Sequence, residues 1–362
     1  MRLYLIGAGV IAGHHAAAAQ ELAGGDLNLA VADPNPAALA NFVQHHPTAR
    51  TFASATDMLA EAAQANDIVV VATPPVTHYA LTLVALHSGR HVLCEKPLAL
   101  DVAQATEMVD LARTLGLHIG CCSSRFLDLP TTGVVKQLLR EGGVGAPYHL
   151  TFVQRHQRSR SGIEYQPGSR WFLDPALSGG GVVMDWGPYD FAAINDLLDP
   201  IETTVVSAWL ANPATAVDPP LSHPPVEQHA AAALRCRLRD GSIVHVTYER
   251  AACTHGEART TVELEGSHGA VSWDWLMLAG EGKVIHRHDH AGHVTSTVTR
   301  CDNREGAPFH HKPLSFFYRA LQGESAPAIL GEQARFNFAC LRAIYDCANT
   351  GQPQVVQKRE SA

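Results

Sequence analysis

The chain has 362 residues, 46% hydrophobic and 17% charged, an ordinary globular balance with enough material for two domains. Acids exceed bases 35 to 27, for a net charge of −8 with no basic run, so nucleic acid is not an expected partner. No run of 18 apolar residues occurs, the N-terminal "MRLYLIGAGVIAGHH" has strand-and-turn rather than leader grammar, and the 8 cysteines lack any Cys-x-x-Cys; a cytoplasmic protein with reduced thiols and no membrane association is expected.

The first third alternates two patterns. "LYLIG", "AVAD", "DIVVVATPP", "HVLCEKP" and "LHIGCC" are short, near-continuous apolar runs, as in parallel strands buried on both faces. Helical stretches lie between them. "VTHYALTLVALHSG" ends at Gly89, and "DVAQATEMVDLARTLG" opens on Asp101 with Gln104 three residues on, a capping-box variant. Strand and helix in alternation predict a doubly wound parallel sheet with right-handed crossovers, an α/β fold, over residues 1–122.

After about residue 125 the strands lengthen and alternate. "YHLTFVQRH", "TTVVSAWLA", "AALRCRLRDGSIVHVTYERA", "RTTVELEGSHGAVSWDW" and "GKVIHRHDHAGHVTSTVTR" predict a mostly antiparallel sheet in a second, α+β domain over 123–362. "NPATAVDPPLSHPP" reads as a surface loop, and "GEQARFNFACLRAIYDCANTG" as a closing helix stopped by Gly351.

Three blocks can carry chemistry. Gly7-Ala8-Gly9-Val10-Ile11-Ala12 follows a strand and opens a helix. Gly7 permits the turn, Gly9 admits a pyrophosphate, and the N–H groups of Val10 and Ile11 face its oxygens. Asp33 lies 21 residues past Ala12, where a dinucleotide site wants an acid for the ribose hydroxyls. An acid there repels a 2′-phosphate, so NAD is expected over NADP. The second block is Glu95-Lys96-Pro97 at the end of a strand, where α/β ligands bind. Glu95 can hold the Lys96 ammonium, a proton shuttle, while Pro97 restricts the Lys96 backbone. Thr73, Pro74 and His78 end the preceding strand and are expected at the same cofactor crevice. In the third block, "SGGGVVMDWGPYDFAAINDLLD", Asp185 and Tyr189 are four apart and share a helix face. Pro188 suits a first turn or a kink.

In this order the three blocks resemble the Gfo/Idh/MocA oxidoreductase family. "SSRFLDLP" resembles its Arg-Phe segment, "EGGVGAPYHLTF" its lead-in to the second domain, and "EQARFNFACLRAIYDCANTGQPQVV" its closing helix. The resemblance implies a Rossmann domain, then an open, largely antiparallel sheet whose face makes homodimers or homotetramers. It implies hydride transfer between NAD(H) and a secondary alcohol or ketone of a sugar, cyclitol or sugar derivative. Lys96 matches the family's catalytic lysine, and Asp185 the aspartate that orients substrate or moves the proton. Tyr189 stands where many members carry histidine; with an ordinary pKa near ~10 it needs a cation such as Lys96 to act as a base. An NAD-dependent glycosidase and a non-catalytic dinucleotide sensor stay open as alternatives on the same fold.

The substrate side is expected to involve Lys96, Arg125, Arg155, Trp171, Asp185 and Tyr189. Arg155, Arg158, Arg160 and Arg170 can clamp an anionic group, and Trp171 can wall a sugar ring; a solvated loop is the plainer account. His286, His288, His290 and His293 in "HRHDHAGH" put three imidazoles on one strand face, but a solvated hairpin is expected and no metal is assigned.

Overall fold

The computed structural model describes residues 1–157, 167–213, 226–277, 280–302 and 308–360. The chain runs β1 (Arg2–Ile6), α1 (Val10–Ala23), β2 (Asn28–Ala32), α2 (Pro36–His45), β3 (Arg50–Phe52), α3 (Ala55–Met58), β4 (Ile68–Val71), α4 (His78–His87), β5 (His91–Cys94), α5 (Val102–Thr114) and β6 (Ile119–Cys121). It continues through α6 (Pro130–Arg140), β7 (Pro147–Arg155), α7 (Pro175–Ser178), α8 (Val182–Leu198), β8 (Glu202–Ala211), β9 (His229–Arg237) and β10 (Ile243–Ala251). It ends with β11 (Arg259–Gly266), β12 (Gly269–Trp273), β13 (Glu281–His290), β14 (His293–Asp302), α9 (Lys312–Leu321), β15 (Ile329–Leu330), α10 (Gly331–Thr350) and β16 (Gln354–Gln357).

Contacts divide it into a unit of Met1–Arg125, Ala176–Gly179 and Ala307–Phe338 and a unit of Phe126–Pro175, Gly180–Gly306 and Ala339–Ala362. This differs from two contiguous segments, 1–122 and 123–362. The reason is that α9 packs its Leu314 and Phe317 into the core of α1 and β1, and β15 pairs antiparallel with β6.

The sheet of the first unit has the order β15-β6-β5-β4-β1-β2-β3, parallel except for β15. Ile68, Val69, Val70 and Val71 are all 0% exposed, as a strand covered on both faces requires. Each such side chain contributes about 1.5–3 kcal/mol of burial. The predicted start of α5 is present: Gln104 N–H donates to the Asp101 carboxylate at 2.9 Å, and the Gln104 side chain accepts from Leu100 N–H at 3.3 Å.

The second unit holds a nine-stranded sheet, β14-β13-β12-β11-β7-β10-β9-β8-β16, antiparallel apart from the β7–β10 pair. On β10, Val244, Val246, Tyr248 and Arg250 are buried, and α8 lies on their side. Pro188 lies within α8, past its first turn, and the helix continues through it to Leu198. The histidine tract forms the hairpin β13–β14, closed by Ala291 (φ 50°) and Gly292 (φ 80°). Most of the 212–225 loop lies outside the described residues. Among the described residues no helix is long and apolar enough to cross a membrane.

Candidate active site

In the first unit the predicted groups gather at the carboxyl ends of β1, β2, β4 and β5. Gly7 has φ +101°, and a Cβ there would lie 2.7 Å from the Ala72 carbonyl oxygen, so both backbone shape and space demand glycine. At Gly9 a Cβ would meet nothing within 4 Å; the space beside it is open. Gly9 caps α1 without any side-chain bond, and Val10 is 87% exposed. An uncapped helix terminus with open approach fits a pyrophosphate. Asp33 accepts from Ala8 N–H at 2.9 Å through one oxygen and from Asn35 N–H at 2.8 Å through the other. Those bonds fix the carboxylate, and its remaining lone pairs fit ribose hydroxyls.

Glu95 is 5% exposed. One of its oxygens meets His15 Nε2 at 3.0 Å and accepts from Arg125 at 3.3 Å; the other accepts from Lys96 N–H at 3.1 Å. Burial pushes its pKa up, but Arg125, His15 and Lys96 outweigh that and hold it well below the usual carboxylate range. Lys96 itself is partly exposed, and its peptide bond to Pro97 is cis.

Several placements correct the sequence reading. His78 is 0% exposed, with Nδ1 at 2.7 Å from the Pro97 carbonyl and Nε2 at 2.8 Å from the Thr73 carbonyl. It is a strut joining the ends of β4 and β5, not a cofactor ligand. Burial lowers its pKa, against the pull of the two carbonyls. Thr73 is partly exposed and Pro74 exposed at the same strand end. Glu95 likewise supports the turn from within, through His15, Arg125 and the Lys96 amide. Arg125, 8% exposed and directed at Glu95, belongs to that support rather than to an open substrate surface.

His15, unremarked in the sequence, is 0% exposed, and its Nδ1 has no hydrogen-bond partner among the described residues. Its Nε2, a Glu95 oxygen and Cys122 Sγ lie within 4.8 Å of one another, a triplet with metal-ligating chemistry. Arg125 against Glu95 and a thiol whose pKa burial pushes well up both oppose a cation there.

In the second unit, Asp185 and Tyr189 lie one turn apart on α8. Asp185 is partly exposed beside a cavity of about 20 Å³, room for one water, lined also by Phe172, Leu173, Val182, Gln228 and Ala252. Tyr189 is 3% exposed, with Phe126 edge-on at 4.8 Å and Trp186 at 5.8 Å. Beneath them the Asp190 carboxylate takes both Arg250 nitrogens, Nε at 2.9 Å, and the Tyr248 hydroxyl at 2.8 Å. Arg250 also lies 5.2 Å over the Trp186 ring. This buried, bidentate pair pins α8 to β10.

Arg155 does not join Asp185. Phe152 stacks on Tyr248, on the α8 side of the sheet, and strand alternation sends Arg155 to the opposite face, where it meets Glu249 at 3.4 Å. Trp171 stacks on Phe172 at 3.8 Å, and Phe172 rather than Trp171 lines the cavity beside Asp185. Arg158 and Arg160 lie outside the described residues. Arg170 is partly exposed in the 3₁₀ segment Pro167–Leu173.

Residues 1–121 match the sequence model of the oxidoreductase family with an NAD-binding Rossmann fold, and residues 133–272 match the GFO/IDH/MocA C-terminal domain. The chain therefore belongs to the Gfo/Idh/MocA oxidoreductases. It is 26% identical over 313 residues to 1,5-anhydro-D-fructose reductase of Ensifer adhaerens, covering 80% of each chain. It is 36% identical over 121 residues to D-glucoside 3-dehydrogenase of Escherichia coli, covering 33% of this chain and 32% of that one. Levoglucosan dehydrogenase in complex with NADH and levoglucosan shares the fold, with a TM-score of 0.77 at 17% identity over 99% of this chain and 100% of that one.

Proposed function

We propose that this oxidoreductase uses NAD(H), in preference to NADP(H), to interconvert a secondary hydroxyl and a carbonyl on a sugar, cyclitol or sugar derivative. The observation that carries the reading is Lys96, partly exposed at the end of β5, on a turn that Glu95, His15, Arg125 and His78 immobilise. When bound, the dinucleotide supplies the hydride chemistry. Lys96 gives or takes the proton at the reacting oxygen, and Asp185 orients the substrate hydroxyl. Tyr189, 3% exposed and one helical turn from Asp185, is the second candidate for that proton. Asp33 supports NAD by its charge.

Relatives named as sugar reductases and dehydrogenases support the substrate class. A homodimer or homotetramer through the open face of the nine-stranded sheet belongs to the same proposal. Half-exposed Trp209 and Val206, at 47% and 44%, support it. The test is a screen of 1,5-anhydrofructose, glucosides, levoglucosan and UDP-sugars with NAD(H) and NADP(H), read at the NADH absorbance. Lys96→Met is expected to lower kcat by about 10²–10⁴ while leaving NADH affinity within a few fold. Undiminished turnover by Lys96→Met on the substrate so found refutes the assignment.

A further inference from the structure

The run Gly180-Gly181 before α8 is explained by what presses on it. A Cβ on Gly181 would lie 1.8 Å from the Glu227 carbonyl oxygen, and one on Gly180, at φ +159°, would lie 2.3 Å from the Tyr345 hydroxyl. Glu227 reaches the helix end with three oxygens. One carboxylate oxygen accepts from Gly181 N–H at 2.7 Å, the other from Val183 N–H at 3.0 Å, and its backbone carbonyl accepts from Val182 N–H at 3.0 Å. The Tyr345 hydroxyl donates to the same carboxylate at 2.7 Å. Asp185 N–H then closes the first turn on the Gly181 carbonyl at 2.9 Å. Every amide from Gly181 through Val183 is thus held by one residue, and the next bond begins the turn that carries Asp185.

We propose that Glu227, backed by Tyr345, is a positioning residue for the reaction: it seats the first turn of α8 and so sets where Asp185 presents its carboxylate. This rests on the reading of Asp185 given under the proposed function. Glycine is required at 180 and 181 because any side chain would lift the turn off this seat. The acceptor oxygens of Glu227 also face the positive end of the helix dipole, a favourable arrangement. Burial raises the pKa of the Glu227 carboxyl above its ordinary range, with the Tyr345 hydroxyl and the Gly181 and Val183 amides pulling against that; the seat itself is defined by the geometry of these bonds. Nothing in the local sequence marks Glu227, which lies 44 residues from Val183.

The test compares Glu227→Gln, Glu227→Ala and Tyr345→Phe with Asp185→Asn. Glutamine keeps one acceptor oxygen and offers N–H groups in place of the other; alanine keeps neither. The expected order of kcat is wild type, then Gln, then Ala, with Ala lower by on the order of a hundredfold, since a misplacement of about 1 Å costs that much. NADH affinity, a property of the first unit, stays within twofold, and the KM for NADH does not move. Amide hydrogen exchange over 182–186 reads the seat without any substrate and is expected to quicken at least about tenfold in Glu227→Ala. Wild-type kcat in Glu227→Ala alongside a dead Asp185→Asn overturns this inference and leaves the site reading standing. Unchanged exchange over 182–186 overturns it whatever the activity. An active Asp185→Asn with quickened exchange in Glu227→Ala keeps the seat and removes the role of Asp185.

Discussion

Replacing Glu95 with glutamine tests the electrostatics beneath Lys96. Glu95 is 5% exposed and Arg125 8% exposed, and their pair lies at 3.3 Å. Glutamine can still accept from Lys96 N–H, but it removes the buried negative charge that Arg125 meets at 3.3 Å. Breaking a buried pair from one side costs about 3–5 kcal/mol. The acid dependence follows from the direction of the shift. Glu95 has a depressed pKa in the folded chain, so its contribution is complete above the unfolded value of about 4.3 and is lost as pH falls through the folded value. Below about pH 4.3 the advantage of wild type over Glu95→Gln shrinks by about 1.4 kcal/mol per unit, so roughly half is gone near pH 3. Urea unfolding at pH 7, 4 and 3 measures it. All 5 tryptophans, at 171, 186, 209, 273 and 275, lie in the second unit, so their fluorescence follows that unit while far-ultraviolet dichroism follows both. The dichroism transition is expected to move and the fluorescence transition to stay. A loss under about 1 kcal/mol at pH 7, or a difference that is constant from pH 7 to 3, refutes the reasoning.

Other substitutions probe separate supports. Arg250→Leu strands the Asp190 carboxylate under α8 and is expected to cost about 3–5 kcal/mol, seen in tryptophan fluorescence because Trp186 and Trp275 flank the pair. The double variant Asp190→Leu/Arg250→Leu is expected to recover much of that. His310 has a pKa lowered to about 4 from 6.5 by burial and by Arg125 and His14. The unfolded chain therefore takes that proton first, and stability rises with pH between about 4 and 6.5. His310→Asn flattens this limb, checked by Tm from pH 4.5 to 7. Tyr189→Phe keeps the ring packing against Phe126 and Trp186 and removes only the hydroxyl. A fall in kcat of about 10²–10⁴ with unchanged Tm makes Tyr189 a proton carrier; unchanged kcat assigns that transfer to Lys96.

What a short stretch of sequence reveals is what short-range geometry requires. Gly7 is legible because only glycine tolerates φ +101° against the Ala72 carbonyl, and Asp33 because a strand end fixes where its carboxylate falls. Asp185 and Tyr189 are legible through helical spacing. Arg155 was open to the same kind of reasoning: counting alternate positions from apolar Phe152 already turns it to the far face of the sheet. The edge strand β15 was not, because two residues carry too little pattern and the pairing with β6 is made by a segment some 200 residues away. The supports of the site share that property. His15 meets Glu95 across 80 positions, Arg125 meets it across 30, and Glu227 meets Gly181 across 46. A reacting group must sit at a strand end or helix turn that its own neighbours shape. A supporting group need only arrive with the complementary charge, and any element that the fold brings alongside can supply it. The groups that hold Lys96 and Asp185 in place are therefore set by tertiary packing, and their substitution tests the proposed site more sharply than changes within the motifs, because it leaves the proposed reacting atoms intact.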